Sequence, residues 1–128
     1  MGIMKKAEEA LAEVTSITAE EALARMGDGL VFVDVRDIRE VERSDTIDGS
    51  HHAPRGMIEF WFDPESPYHR DLYADEHATY VLFCNGDPRS ALSAKALQDL
   101  GITNVAQLRG GMPAWREAGG PTVERGRK

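Results

Sequence analysis

The residues with the clearest capacity for chemistry lie in one stretch, Cys84-Asn85-Gly86-Asp87-Pro88-Arg89-Ser90. Cys84 is the only cysteine of the chain, so an intramolecular disulfide and a Cys-rich zinc site are both ruled out. It follows the apolar run Tyr80–Phe83 and precedes polar, turn-forming residues, after which a helical pattern begins at Ser90. A helix start offers unpaired N–H groups and about half a positive charge. A thiol placed there is drawn toward thiolate, its nucleophilic form. Arg89 adds a full positive charge. Asn85, Gly86 and Asp87 tolerate the turn geometry that curls N–H groups inward, whereas Pro88 removes one donor. A free cysteine is also among the most buried residue types, and an inert core thiol fits the same placement. From these residues alone both readings stand.

The elements that must position this stretch alternate strand and helix. Residues 4–13 predict a short charged amphipathic helix, and Val14 to Ile17 a short strand. Thr18 and Glu21 form a capping box ahead of a helix carrying Leu23 and Met26, which Gly27 to Gly29 ends. Leu30-Val31-Phe32-Val33-Asp34-Val35 is a continuous apolar run with one acid near its end, the pattern of a strand buried on both faces. Asp37 to Arg43 reads as a helix, 47–55 as a loop, and Gly56 to Phe62 as a helix with Ile58, Phe60 and Trp61 available for packing. A Pro-containing connection follows over 63–68. Tyr80–Phe83 is a second buried strand. Ser90 to Leu100 is a helix with Leu92, Ala96, Leu97 and Leu100 on one side. Val105 to Leu108 is a last strand, and Met112 to Ala118 a last helix anchored by Trp115. The tail from Gly119 is rich in Gly, Pro and charge and reads as frayed. The pattern predicts an α/β class with a central, mainly parallel sheet flanked by helices on both faces.

Composition bounds the function. The 128 residues fit one domain, and the apolar fraction of 41% is ordinary for a globular protein. The net charge of -7 argues against nucleic acid as a partner, because a phosphate-backbone binder needs a basic face. No apolar run is long enough to span a bilayer, so no membrane association is expected. Acidic residues follow Met1–Lys6 before any apolar segment, so a secretory signal is not expected and a cytoplasmic location is. The four histidines, His51, His52, His69 and His77, lack metal-ligand spacing, so no metal and no cofactor are expected.

Four stretches in order resemble the rhodanese-like domain family. Asp34-Val35-Arg36 resembles its first signature, and Gly49-Ser50-His51-His52-Ala53-Pro54 is similar to its second. Cys84 to Ser90 resembles the active-site loop, in which Arg follows the Cys by five positions and Ser or Thr comes next. Leu108-Arg109-Gly110-Gly111-Met112-Pro113-Ala114-Trp115 resembles the C-terminal signature. The likeness runs over residues 15–123, leaving 1–14 as a helical extension and 124–128 as a frayed tail. It implies a rhodanese-like fold and a single-domain sulfurtransferase. Cys84 would take sulfane sulfur from thiosulfate or a persulfide and pass it to cyanide, a thiol or a protein acceptor. The loop from Asn85 through Ser90 would bind and stabilise the anionic persulfide. The resemblance also allows a non-catalytic or persulfide-carrier module that binds a protein partner. Cysteine phosphatases and arsenate reductases are related, but their loops have five residues between Cys and Arg. Four lie between Cys84 and Arg89, which favours sulfur over a tetrahedral oxyanion.

The chain departs from the family pattern at Asp87, where Gly is common, and at Pro88. An inward carboxylate at ~7 Å and an effective dielectric of ~20 would repel an anion by about 2 kcal/mol. The helix terminus offers only ~0.3–1 kcal/mol in return. Asp87 is therefore expected to face solvent, or the donor to be something other than a dianion. Asp34 and Arg36 read as a structural ion pair or loop tether rather than catalytic groups. His52 is expected to order its loop by hydrogen bonding, with proton transfer the lesser role. Arg55, Glu59 and Trp61 either line the pocket mouth or pack on the surface.

Overall fold

A computed structural model describes residues 1–126. Helix α1 (Ile3–Glu13) leads into strand β1 (Ser16–Ile17) and helix α2 (Ala19–Ala24). Strand β2 (Leu30–Asp34), helix α3 (Ile38–Arg43), and the short strands β3 (Thr46–Ile47) and β4 (His51–His52) follow. Helix α4 (Ile58–Phe62), a 3-10 turn at Asp71–Tyr73 and strand β5 (Thr79–Phe83) come next. Helix α5 (Pro88–Asp99), strand β6 (Val105–Leu108), helix α6 (Gly111–Glu117) and strand β7 (Thr122–Val123) complete the order.

Five strands form one sheet in the order β1-β6-β5-β2-β4, and every pairing in it is parallel. The two long apolar runs lie at its centre, with Val33 opposite Leu82 and Leu82 opposite Gln107. Side chains alternate across β5. Tyr80, Leu82 and then Cys84 face Ile58, Phe62, Ala94 and Leu97 from α4 and α5. Val81 and Phe83 face Met112 and Trp115 of α6 on the other side. Each fully buried large apolar side chain contributes about 1.5–3 kcal/mol. The α/β class with helices on both faces is thus present, and Trp115 is a core residue packed 5.2 Å from Phe32.

Several local expectations are corrected. The stretch 47–55 contains strand pairing: β4 extends the edge of the sheet against Val33 and Asp34, and Ile47 belongs to β3. Two-residue strands are too short to show a period of two. The tail from Gly119 is tied down rather than frayed. The Trp115 indole donates to the Pro121 carbonyl at 3.0 Å, and β7 pairs antiparallel with β3. Of the 124–128 tail, residues 127 and 128 lie outside the described residues. On α4 the buried aromatic residue is Phe62, and Phe60 is 49% exposed. On α5 the buried face is Ser90, Ala91, Ser93, Ala94 and Leu97, while Leu100 is exposed. Small residues line that face because α5 lies between the sheet and α1, where backbones approach closely. Helix α5 also begins two residues earlier than expected, with Pro88 in its first turn, a position where the missing N–H costs nothing.

Candidate active site

Cys84 sits immediately beyond β5, at the carboxyl end of the parallel sheet, where open α/β sheets place their ligand sites. It is 1% exposed. Its Sγ donates toward the Gly86 carbonyl at 3.2 Å and lies 3.5 Å from the Ser90 hydroxyl. The loop turns through Asn85 and Gly86 into Asp87, the residue before α5. Arg89 and Ser90 fall in the first turn of α5, whose N–H groups have no partner within the helix.

The loop rests on the break between β6 and α6. The Met112 N–H donates to the Cys84 carbonyl at 3.0 Å. Gly110 and Gly111 both have positive φ, +77° and +57°. A Cβ on Gly111 would stand 2.7 Å from both N and O of Gly86, and closer still to the Cys84 carbonyl. The Gly-Gly pair therefore lets one backbone lie directly against another beneath the cysteine.

Asp87 does not face solvent as expected, nor does it point at the sulfur. Its Oδ1 accepts from the Gly110 N–H at 2.8 Å and from Gln107 Nε2 at 3.3 Å. The Gly110 amide lies where the β6 ladder has ended, and the carboxylate takes its hydrogen. Arg89 differs as well. Its guanidinium reaches across to α3 and grips the Glu40 carboxylate through both terminal nitrogens, Nη2 at 3.0 Å from Oε2. That contact holds the Glu40 carboxyl below its usual range and raises Arg89 further. The positive charge beside Cys84 is thus already paired.

Asp34 and Arg36 form a buried bidentate pair, 1% and 2% exposed, with Nη2 2.8 Å from Oδ2. Thr46 Oγ1 donates to Asp34 at 2.8 Å, and Arg36 donates to the Asp45 carbonyl at 2.8 Å. His52 Nε2 is 2.7 Å from the Arg36 carbonyl, which can only accept, so Nε2 carries a hydrogen. These contacts tie β2, β3 and β4 together next to the cysteine loop, since the Val35 N–H also donates to the Phe83 carbonyl. Arg55 and Glu59 pair at 3.0 Å on a half-exposed surface. Trp61 stacks under Arg70, whose Cζ is 3.4 Å from the ring centre. His52, Trp61 and Arg70 line a cavity of about 400 Å³ beside β4, and Cys84 does not line it. The structure brings Asn85 to Ser90 into the loop that follows Cys84, sets Asp34 on the strand beside Phe83 with Arg36 paired to it, places His52 and Trp61 on the cavity beside β4, and packs Trp61 against the buried cluster that includes Cys84. It adds Glu40 and Gln107. Gln107 carried a signal in the sequence, as one polar residue within a buried apolar run. Glu40 carried none.

A cysteine at a strand end, wrapped by a short loop that opens a helix, defines a protein built around one protected thiol on an open parallel sheet. The family model for the Rhodanese-like domain matches residues 18–118, and the chain belongs to that family. A solved structure from Pseudomonas aeruginosa, a thiosulfate sulfurtransferase, superposes with a TM-score of 0.82 at 26% identity. It covers 98% of this chain and 23% of that one. A protein of unknown function from Rhodopseudomonas palustris, described as a possible tyrosine phosphatase, superposes with a TM-score of 0.88 at 43% identity. That match covers 96% of this chain and 95% of the other. An uncharacterized protein of Synechocystis is 30% identical over 100 residues, 78% of this chain. The chain spans about half the length of that relative (50%). Among the described residues no helix is long and apolar enough to cross a membrane.

Proposed function

We propose that the chain is a sulfurtransferase in which Cys84 carries sulfane sulfur as a persulfide. The observation that carries this reading is the placement of Cys84 just beyond the carboxyl end of β5 and four residues before α5 begins at Pro88, a helix whose first-turn N–H groups lack helix partners and favour a nearby anion. The Cys84 thiolate attacks the outer sulfur of the donor. A new S–S bond forms as the donor's bond to that sulfur breaks, and sulfite (from thiosulfate) or a thiolate (from a persulfide) leaves with the electron pair. An acceptor, cyanide or a thiol on a small molecule or protein, then attacks the terminal sulfur and releases the Cys84 thiolate.

The R. palustris relative's description favours a second reading, a phosphatase. Arg89 weighs against it. A phosphate dianion is gripped by a free bidentate guanidinium, and here that fork holds Glu40. The experiment is intact-mass measurement after incubation with thiosulfate, with a low-molecular-weight persulfide, and with an aryl phosphate ester. One added sulfur on the wild type, absent from Cys84→Ser, is the expected result. No adduct from either sulfur donor, or turnover of the ester, would overturn the proposal. An adduct that cyanide and small thiols fail to discharge would mark a carrier that hands sulfur to a protein.

A further inference from the structure

Four side chains form a hydrogen-bonded chain ending at the reacting sulfur. Asp87 Oδ1 accepts from Gln107 Nε2 at 3.3 Å, Ser90 Oγ donates to Gln107 Oε1 at 2.9 Å, and Cys84 Sγ lies 3.5 Å from Ser90 Oγ. Ser90, Ser93 and Gln107 are the buried polar residues of β6 and α5, and Gln107 also bonds Ser16 Oγ at 3.0 Å. The direction of this chain is not free. A serine hydroxyl or a thiol can donate or accept, and an amide can turn over. An ionised carboxylate only accepts. Gly110 N–H, 2.8 Å from the same Oδ1, only donates and fixes the carboxylate in place. Asp87 therefore requires the amino group of Gln107 on its side. The Gln107 carbonyl oxygen must then face Ser90; the Ser90 hydrogen is shared between it and the Asp87 backbone carbonyl, 3.2 Å from Ser90 Oγ, and a lone pair of Ser90 faces Cys84.

We propose that Asp87 is a positioning residue that acts through Gln107 and Ser90 to set the polarity of the hydroxyl beside Cys84. Ser90 then shows the sulfur a lone pair rather than a hydrogen, as the Gly86 carbonyl also does at 3.2 Å. The relay withholds the one rotatable donor next to the sulfur and leaves backbone N–H groups as the donors for a transferred anion. If the anchor is lost, Gln107 can turn its amino group to Ser90, whose hydrogen is then divided between the Asp87 backbone carbonyl and the sulfur, where it supports the anion. The proposal rests on Cys84 as the reacting sulfur.

Two substitutions separate the relay from simple charge. Asp87→Asn removes the charge but keeps an oxygen at Oδ1, since Gly110 N–H demands an acceptor there, so the polarity is retained. Asp87→Ala removes both. The readout is the second-order rate of Cys84 alkylation by iodoacetamide at one fixed pH, which needs no sulfur donor. Failure of the relay and failure of sulfur transfer are thus seen in separate measurements. Asp87→Ala is expected to react about threefold faster than Asp87→Asn, less than the roughly tenfold effect of one full added hydrogen bond to a charged atom, because the Asp87 backbone carbonyl competes for the Ser90 hydrogen. In a Ser90→Ala background the two should react alike. Should Asp87→Ala fail to fold, Gln107→Leu cuts the same link and is expected to give the same increase, again only while Ser90 is present. Equal rates for Asp87→Ala and Asp87→Asn, or a difference that persists without Ser90, would overturn the proposal.

Discussion

Replacing Gly111 with alanine should damage the cysteine loop from below without touching a side chain of the site. The added Cβ would lie 2.7 Å from both N and O of Gly86 and closer to the Cys84 carbonyl. Ordinary van der Waals contact begins near 3.4 Å, so Gly86 must retreat by about 0.7 Å and the Cys84 carbonyl by more. Those neighbours are backbone, and no flexible side chain can absorb the shift. Alanine at φ +57° also carries strain of about 1–2 kcal/mol. Overpacking adds about 1–3 kcal/mol. The expected loss of stability is about 2–5 kcal/mol, read from denaturant unfolding. A displacement of this size at reacting atoms costs about 100-fold in rate, so sulfur loading of Cys84 from a persulfide should slow by about that factor. Gly49→Ala is the control, because Gly49 has φ +80° with no atom within 4 Å of the added Cβ. It should lose only the strain energy and load sulfur normally. If Gly111→Ala loads as fast as Gly49→Ala, the loop does not depend on this backbone contact and the reasoning fails.

Asp34→Asn should destabilise the protein by about 3–5 kcal/mol, because it leaves the Arg36 guanidinium, 2% exposed, without its counter-charge. A shift in urea midpoint worth under about 1 kcal/mol would show that the pair is solvated rather than buried. Asp45 predicts an acid-range dependence. Its hydrogen bond to Arg116, Nε to Oδ1 3.2 Å, holds its carboxyl down at about 2, against an ordinary 3.8. A depressed carboxyl contributes stability in full above 3.8 and loses it as pH falls toward 2. Asp45 is 24% and Arg116 39% exposed, so solvent screening reduces the contribution to about 1 kcal/mol. Wild type should exceed Asp45→Asn by that amount at about pH 6, and the two should converge near about pH 2. A gap independent of pH would refute the assignment.

The central strands and the order of helices were legible because each is a sustained local pattern. Leu30–Val33 and Tyr80–Phe83 are apolar runs without the alternation of a half-buried strand, and Thr18 with Glu21 marks a helix start by type alone. The cysteine at the strand end was legible for the same reason. Asp87 was expected to face solvent unless the donor is not a dianion, and Arg89 to offer a free charge, but each side chain is engaged by a distant partner. Their partners, Gly110 and Glu40, lie 23 and 49 positions away, and no local rule reports which of several acceptors a side chain chooses. β3 and β7 were missed because two residues carry no periodicity and their pairing is long-range. Small residues on α5 hid its buried face, since serine and alanine add little to any hydrophobic stripe.

The site's charges decide what kind of anion it can hold. Arg36 is consumed by Asp34, and Arg89 by Glu40. Asp87 is balanced by an amide and a backbone N–H rather than by a cation. The side chains around Cys84 therefore offer no net positive charge, and the proposed sulfur transfer would draw its stabilisation from backbone N–H groups at the start of α5. Such groups supply about half a charge over a short range. That matches the single charge of a persulfide sulfur and falls short of a phosphate dianion, which needs a free guanidinium fork. Glu40→Gln puts this to use, because it frees Arg89 while leaving the loop backbone intact. Binding of inorganic phosphate or sulfate, followed by titration calorimetry, should be stronger in Glu40→Gln than in wild type. Equal binding would mean that Arg89 is not held in reserve by Glu40, and the charge-based preference for sulfur would lose its basis.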